Sequence, residues 1–250
     1  MRFFKSTKLM SGVLISCLMT LNTLHASTQI KSYQKAFDSL MQEMKASPSK
    51  FSKSEQEVMQ KEAESLANSL PHPGIKVGEK APLFNIKNAF GKKISLQEEL
   101  KKGPVILVFY RGAWCPFCNM YLHVLQENLA VFKQYGAQLI TVTPQTPDKS
   151  AEQIQKNGYP FEVLSDLNNK VMKDYKLYFE MPKELLDIYK KHGLDIEAYN
   201  GVKRTALPIP GTFVIDQKGI VRAMQAQTDY KIRMEPKDII QSLIKISKEK

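Results

Sequence analysis

Pro104-Val105-Ile106-Leu107-Val108-Phe109-Tyr110-Arg111-Gly112-Ala113-Trp114-Cys115-Pro116-Phe117-Cys118-Asn119-Met120-Tyr121-Leu122 is the stretch whose reading decides the fold. Pro104 to Tyr110 is an unbroken apolar run, the pattern of a strand buried on both faces. After a short link, helical periodicity takes over at Cys115 and continues to Gln134 through Tyr121, Leu122, Leu125, Leu129 and Phe132. Unpaired backbone N–H groups at a helix start stabilise an anion, so a cysteine placed there holds a thiolate at neutral pH. Cys115 is therefore expected to be the exposed nucleophile, with Cys118, one turn on, as its more buried partner. Pro116 is tolerated in the first turn and stiffens the loop. Trp114 either shields the sulfur or anchors the core.

Outward from this stretch, strands and helices alternate. Strands are expected at Ala81 to Ile86 and Lys93 to Leu96, around a turn at Phe90-Gly91, and at Ala137 to Val142 and Phe161 to Leu164. Helices are expected near Asp148 to Lys156, Asn168 to Tyr175 and Lys183 to His192. A hairpin pairs Thr212–Asp216 with Ile220–Gln225, and a last amphipathic helix runs from Glu235 to Ser247. This order predicts an α/β fold with a central mixed β-sheet flanked by helices. Upstream, Ile30 to Ala46 has helical spacing. Ser54-x-x-Glu57 reads as the capping box of a second helix, whose Met59, Ala63, Leu66 and Leu70 share a face. The pair of helices is expected to pack its apolar stripe on the core. The chain thus divides into a signal peptide (1–26), a helical N-terminal extension (27–75) and a catalytic domain (76–250).

The signal assignment rests on basic Met1 to Lys8, apolar Leu9 to Leu21 and small Ala26, after which cleavage is expected. Export, to the periplasm of a bacterial cell, follows. A competing box, Leu14-Ile15-Ser16-Cys17, would leave Cys17 lipid-anchored. The apolar run that continues through Leu18, Met19 and Leu21 argues against it. Of the three cysteines, only Cys115 and Cys118 then belong to the catalytic domain. A bridge across so short a loop constrains little unfolded-chain entropy, so a purely structural disulfide is disfavoured. Zinc needs four ligands, and the pair with His72, His123 and His192 makes a poor set. Redox chemistry without metal or cofactor is the expectation. The net charge of +11 comes from lysines scattered among acids, with no basic stripe interleaved with aromatics, which argues against nucleic-acid binding.

A second signal lies at Leu207-Pro208-Ile209-Pro210-Gly211-Thr212-Phe213-Val214-Ile215-Asp216, where a proline enters a core strand. Further residues join these two signals: Val77-Gly78-Glu79-Lys80-Ala81-Pro82-x-Phe84, Leu164-Ser165-Asp166 and Asp229-Tyr230-x-x-Arg233-x-Glu235-Pro236. On them the chain resembles the peroxiredoxin-like (alkyl hydroperoxide reductase/thiol-specific antioxidant) family over roughly residues 76 to 246. The resemblance implies a thioredoxin-like fold, with Pro210 as a cis-proline packed against the Cys-x-x-Cys loop. The family's Pro-x-x-x-Thr-x-x-Cys loop places its proline on Arg111, its threonine on Cys115 and its peroxidatic cysteine on Cys118. Its second arginine falls on Pro210. The usual threonine and arginine that hold a peroxide are thus absent from their places, and Arg111 is the candidate substitute charge.

Two functions follow. In the first, Cys115 (by helix position) or Cys118 (by family alignment) attacks hydrogen peroxide or an organic hydroperoxide and becomes a sulfenic acid. The other cysteine then closes a disulfide that a thioredoxin-like dithiol reductant reopens. In the second, the pair exchanges disulfides with protein cysteines in the cell envelope, with Cys115 forming the mixed disulfide. Family resemblance favours the first, and loop chemistry the second.

Overall fold

A strand that is apolar on both faces needs a packed layer above and below it. The computed structural model, which describes residues 29–249, supplies both. In chain order its first elements are α1 (Tyr33–Lys45), α2 (Lys53–Ser69), β1 (Asn85–Lys87), β2 (Lys93–Ser95), α3 (Leu96–Lys102) and β3 (Val105–Phe109). Next come α4 (Pro116–Glu127), α5 (Leu129–Gln134), β4 (Gln138–Thr143), α6 (Pro147–Asn157), β5 (Glu162–Ser165) and α7 (Lys170–Asp174). The last are β6 (Tyr178–Glu180), α8 (Lys183–Lys191), α9 (Ile196–Asn200), β7 (Ala206–Pro208), β8 (Gly211–Ile215), β9 (Val221–Ala226) and α10 (Pro236–Lys248). The signal-peptide and Cys17 readings lie outside the described residues.

The central sheet has the order β5-β4-β3-β8-β9. Its first three strands are parallel, and β8 and β9 join antiparallel. β3 lies in the middle, and its two-residue period sends side chains to both layers. Val105, Leu107 and Phe109 pack with Tyr175 and Phe213 on one face. Ile106 and Val108 pack with Phe132, Ile239 and Leu243 on the other. The result is the expected mixed sheet flanked by helices, in the thioredoxin-like arrangement.

Several boundaries differ from expectation, each for a local reason. The helix expected from Cys115 to Gln134 breaks at Asn128, which caps α5 and turns its side chain to other partners. Its amide exchanges hydrogen bonds with the backbone of Lys31, at 3.0 Å in each direction, and donates to the Val124 carbonyl. The first strand starts at Asn85 rather than Ala81, because the Ala81 N–H is taken by the Gly219 carbonyl across the β8–β9 turn. The capping box is Ser52 with Glu55, two residues before the expected pair. The small β6–β7 pair, α3 and α9 were not foreseen.

Pro210 is corrected as well. No cis peptide bond occurs among the described residues, so Ile209–Pro210 is trans. The β6–β7 pairing and the Ile209 N–H bond to the Leu177 carbonyl set the direction of the chain as it enters β8. Pro210 is nonetheless buried there. The pairing of Phe109 with Gly211 puts it beside Tyr110, at the entry of the cysteine loop.

The two N-terminal helices are held by specific clamps as well as by apolar packing. Glu55 of α2 accepts from Lys191 Nζ at 2.7 Å and contacts His192 Nε2 at 3.1 Å, tying α2 to the end of α8. Lys191, followed by the Ser52 backbone N–H, holds the Glu55 carboxyl well below the usual carboxylate range. Ser52→Ala should cost about 1 kcal/mol of α2 stability by removing the cap. The loss should be read as faster amide exchange along α2 with the central sheet unchanged. Unaltered exchange in α2 would show that this end does not hold the helix.

Candidate functional site

The site is built where β3 hands over to α4, at the carboxyl end of the central strand. Residues in such a position face a crevice left by the sheet's own topology. The connecting loop is fixed by side chains from α4, α6 and the β4–α6 loop. Gln145 Oε1 accepts from the Ala113 N–H at 2.7 Å, and Asn119 Nδ2 donates to the Ala113 carbonyl at 2.5 Å. Gln153 donates to Asn119 Oδ1 at 2.8 Å and accepts from the Tyr110 hydroxyl at 2.7 Å. Gly112 is required here, because a Cβ on it would stand 2.5 Å from Trp114 Nε1.

Cys115 is the N-cap of α4 and Pro116 its first helical residue. The Cys115 carbonyl accepts from the N–H groups of Cys118 and Asn119, each at 3.1 Å, so both sulfurs belong to the first turn. Both thiols are free and each is only 1 % exposed, in contrast to the expected exposed Cys115. The charge also settles differently. Burial pushes the Cys115 thiol up, and its hydrogen bond to Cys118 and the neighbouring negative charge add to that. Burial alone would raise Cys118 too. The hydrogen bond from Cys115, the guanidiniums of Arg233 and Arg111, and the Arg111 backbone N–H outweigh it and bring Cys118 down to about 6. Two thiols this close cannot both ionise. The hydrogen bond from Cys115 and the nearby Arg233 favour Cys118 over Cys115 as the place for that one charge.

Two arginines make that possible. Arg233 Nη2 lies 3.5 Å from Cys118 Sγ, and the guanidinium stands over the Tyr121 ring at 5.9 Å. Arg111 is 5 % exposed and is sandwiched between Trp114, at 4.8 Å, and Tyr230, at 4.3 Å. Its Nη2 points to the Tyr189 hydroxyl at 3.4 Å, and its Nε has no hydrogen-bond partner among the described residues. Arg233 lies in the family-like stretch Asp229 to Pro236, where the sequence alone points to no role for it. That stretch was the available signal.

Arg233 is in turn positioned by α1. Glu235 accepts from the backbone N–H groups of Tyr33, at 3.2 Å, and Gln34, at 2.6 Å, and from Ser32 Oγ at 3.3 Å. The Tyr33 hydroxyl donates to the Lys231 carbonyl. The Tyr33 ring meets Tyr121 edge-on at 5.4 Å, beneath Arg233. The histidines considered as metal ligands sit elsewhere: His123 is exposed on α4 and bonds Asn157, and His192 bonds Glu55.

Residues 77–224 match the model of the AhpC/TSA family. The chain is 26 % identical over 172 residues to the chloroplastic peroxiredoxin Q of Populus jackii, covering 69 % of this chain and 68 % of that protein. Among solved structures it is similar to the peroxidoxin BcpB of Mycobacterium tuberculosis, with a TM-score of 0.54 and 18 % identity over 70 % of this chain and 99 % of that one. It is also similar to a thiol peroxidase from Chromobacterium violaceum, with a TM-score of 0.53 and 16 % identity over 70 % and 89 % of the two chains. These two structures share the fold. Tyr33, Arg233 and Glu235 lie outside residues 77–224.

Replacing Arg233 by Met should raise the Cys118 pKa by about 1–2 units, as expected for loss of an adjacent opposite charge. Titrating thiolate absorbance at 240 nm reads this directly. Glu235→Gln should move the titration in the same direction by a smaller amount. An unchanged curve in Arg233→Met would remove Arg233 from the site.

Proposed function

We propose, from the premise that this chain belongs to the AhpC/TSA family and is a peroxiredoxin-type oxidoreductase, that Cys118 is the peroxidatic thiolate and Cys115 the resolving thiol. The observation that carries this reading is the Arg233 guanidinium at 3.5 Å from Cys118 Sγ. The Cys118 thiolate attacks the terminal oxygen of a hydroperoxide. The O–O bond breaks, the sulfur gives up two electrons, and the departing oxygen leaves with a proton as water or an alcohol. Arg111 and Arg233 offset negative charge on the separating oxygens, in a setting too dry for water to compete. The Cys115 thiol then attacks the sulfenic sulfur and water leaves, closing a Cys115–Cys118 disulfide. An external thioredoxin-like dithiol reduces that disulfide by exchange. No metal or bound cofactor enters the cycle.

What supports this reading over exchange with protein cysteines is the family match over residues 77–224. Export to a bacterial periplasm, read from residues 1–26, belongs to the same proposal and would place the recycling dithiol there.

Stopped-flow mixing of the reduced protein with hydrogen peroxide tests the chemistry. The expected oxidation is faster than that of free cysteine thiolate and falls as pH drops through about 6, where Cys118 takes up its proton. Cys118→Ser should abolish the reaction. Cys115→Ser should retain one turnover and leave a trappable sulfenic acid on Cys118. A rate no better than free thiolate, or a burst that survives in Cys118→Ser, would falsify the assignment.

A further inference from the structure

Both sulfurs are covered, yet reopening their disulfide needs a second protein to touch them. One side of that cover is helix α1. Phe117, which lies between the two cysteines in the chain, is only 5 % exposed. Phe37 of α1 meets its ring at 6.0 Å, and Tyr230 meets it at 5.7 Å. Leu40 and Met41 of α1 pack against the same buried group, which contains Cys115 and Cys118.

Helix α1 is fastened at one end. Its start carries the bonds to Asn128 through Lys31, to Glu235 and to the Lys231 carbonyl. From Phe37 onward its hydrogen bonds, among the described residues, stay within the helix and its C-terminal turn. That far end is held by the half-buried apolar side chains of Phe37, Leu40 and Met41. It runs into residues 46–50, all exposed, before α2 is clamped through Glu55. Tyr33 is the one buried residue among the 13 of α1, so its far half opens at lower cost than the sheet beneath.

We infer that the surface of α4 beneath Phe37, Leu40 and Met41 is the docking face for the dithiol protein that reduces the Cys115–Cys118 disulfide, and that α1 swings off it to admit that partner. The inference rests on the peroxidase reading and adds the recycling surface and the segment that guards it. The partner presents an apolar rim around its reactive thiol, because Phe117 and Met120, neighbours one turn apart on α4, are apolar. Its thiolate attacks Cys115, and the sulfur of Cys118, the anion that Arg233 faces, leaves. The partner's second thiol then displaces Cys115, which departs with that thiol's proton as the partner closes its own disulfide. Two electrons pass into this chain and both of its thiols are restored. Helix α4 stays wound, since both cysteines already belong to its first turn.

Oxidising the full chain with diamide forms the disulfide without calling on peroxide chemistry. A bacterial thioredoxin lacking its second cysteine then serves as the probe and is trapped as a mixed disulfide. In that complex, hydrogen exchange of residues 37–45 should quicken about tenfold over the free oxidised chain, while residues 119–127 keep their protection. Leu40→Ser combined with Met41→Ser loosens the cover without adding charge. Intact thioredoxin should reduce the double variant about tenfold faster than the unaltered chain, because the rate follows the open fraction. The Cys118 titration should stay in place, since the anchored start of α1 still holds the Arg233 segment. Failure to form the mixed disulfide, protected residues 37–45 in the complex, or a double variant reduced no faster would each overturn the inference. A chain that passes these tests but is oxidised by no peroxide would end the peroxidase reading and leave the docking face standing.

Discussion

A sulfur anion removed from water survives only if fixed donors and charges replace its hydration. In this protein that replacement is the pairing of Cys118 with Arg233, aided by Arg111 and by the Cys115 thiol. The constraint reaches outward. A guanidinium that must sit 3.5 Å from a buried sulfur needs its own backbone held, and the chain does this by docking the first turn of α1 on the Glu235 carboxylate. The loop that carries the cysteines must be as rigid, which accounts for the closed amide network of Gln145, Gln153 and Asn119. Each of these amides would cost free energy if left unpaired in the interior.

The two N-terminal helices therefore do different work. Helix α1 contributes through electrostatics at second hand: Tyr33 and the N–H groups at its start fix the segment that bears Arg233, and Phe37 packs on Phe117 of the reactive helix at 6.0 Å. Helix α2 never approaches the sulfurs and is tied to α8 by the Glu55 clamp. Its apolar face is only half covered, and it bounds a cavity shared with α8. Packing on the core, the simple expectation for such an extension, holds for Tyr33 and Phe37 of α1 and for Met59 and Leu66 of α2, which pack against buried clusters, the α2 pair staying half-buried.

The strand–loop–helix at the centre was legible because its signals are local. An uninterrupted apolar run, a proline in a first turn and a close cysteine pair each report on their own neighbourhood. The sheet and the late hairpin followed for the same reason. What escaped depends on contacts between distant segments. Asn128 breaks the long helix because the backbone of Lys31, 97 positions away, takes its amide. Arg233 lies 115 positions from Cys118, and no period or spacing joins them. The position of the charge was hidden for a related reason. Helix-start placement favours Cys115, but Cys115 is the N-cap, buried, and donates its hydrogen bond, whereas Cys118 accepts that bond and has Arg233 at 3.5 Å.

The same electrostatics governs the return half of the proposed cycle. Arg233 and Arg111 stabilise the reduced form, because only that form carries the negative sulfur they face. Closing a Cys115–Cys118 bond leaves the two buried guanidiniums beside a neutral disulfide, with Arg111 already short of partners. A dithiol/disulfide pair whose reduced form is favoured in this way has a more oxidising potential and passes its oxidation on to an incoming dithiol readily. The interaction that sharpens Cys118 toward peroxide thus also pulls the disulfide back to the thiol state. One buried charge pair serves both directions of turnover, which explains why the chain spends a helix outside its matched region on holding Arg233 in place.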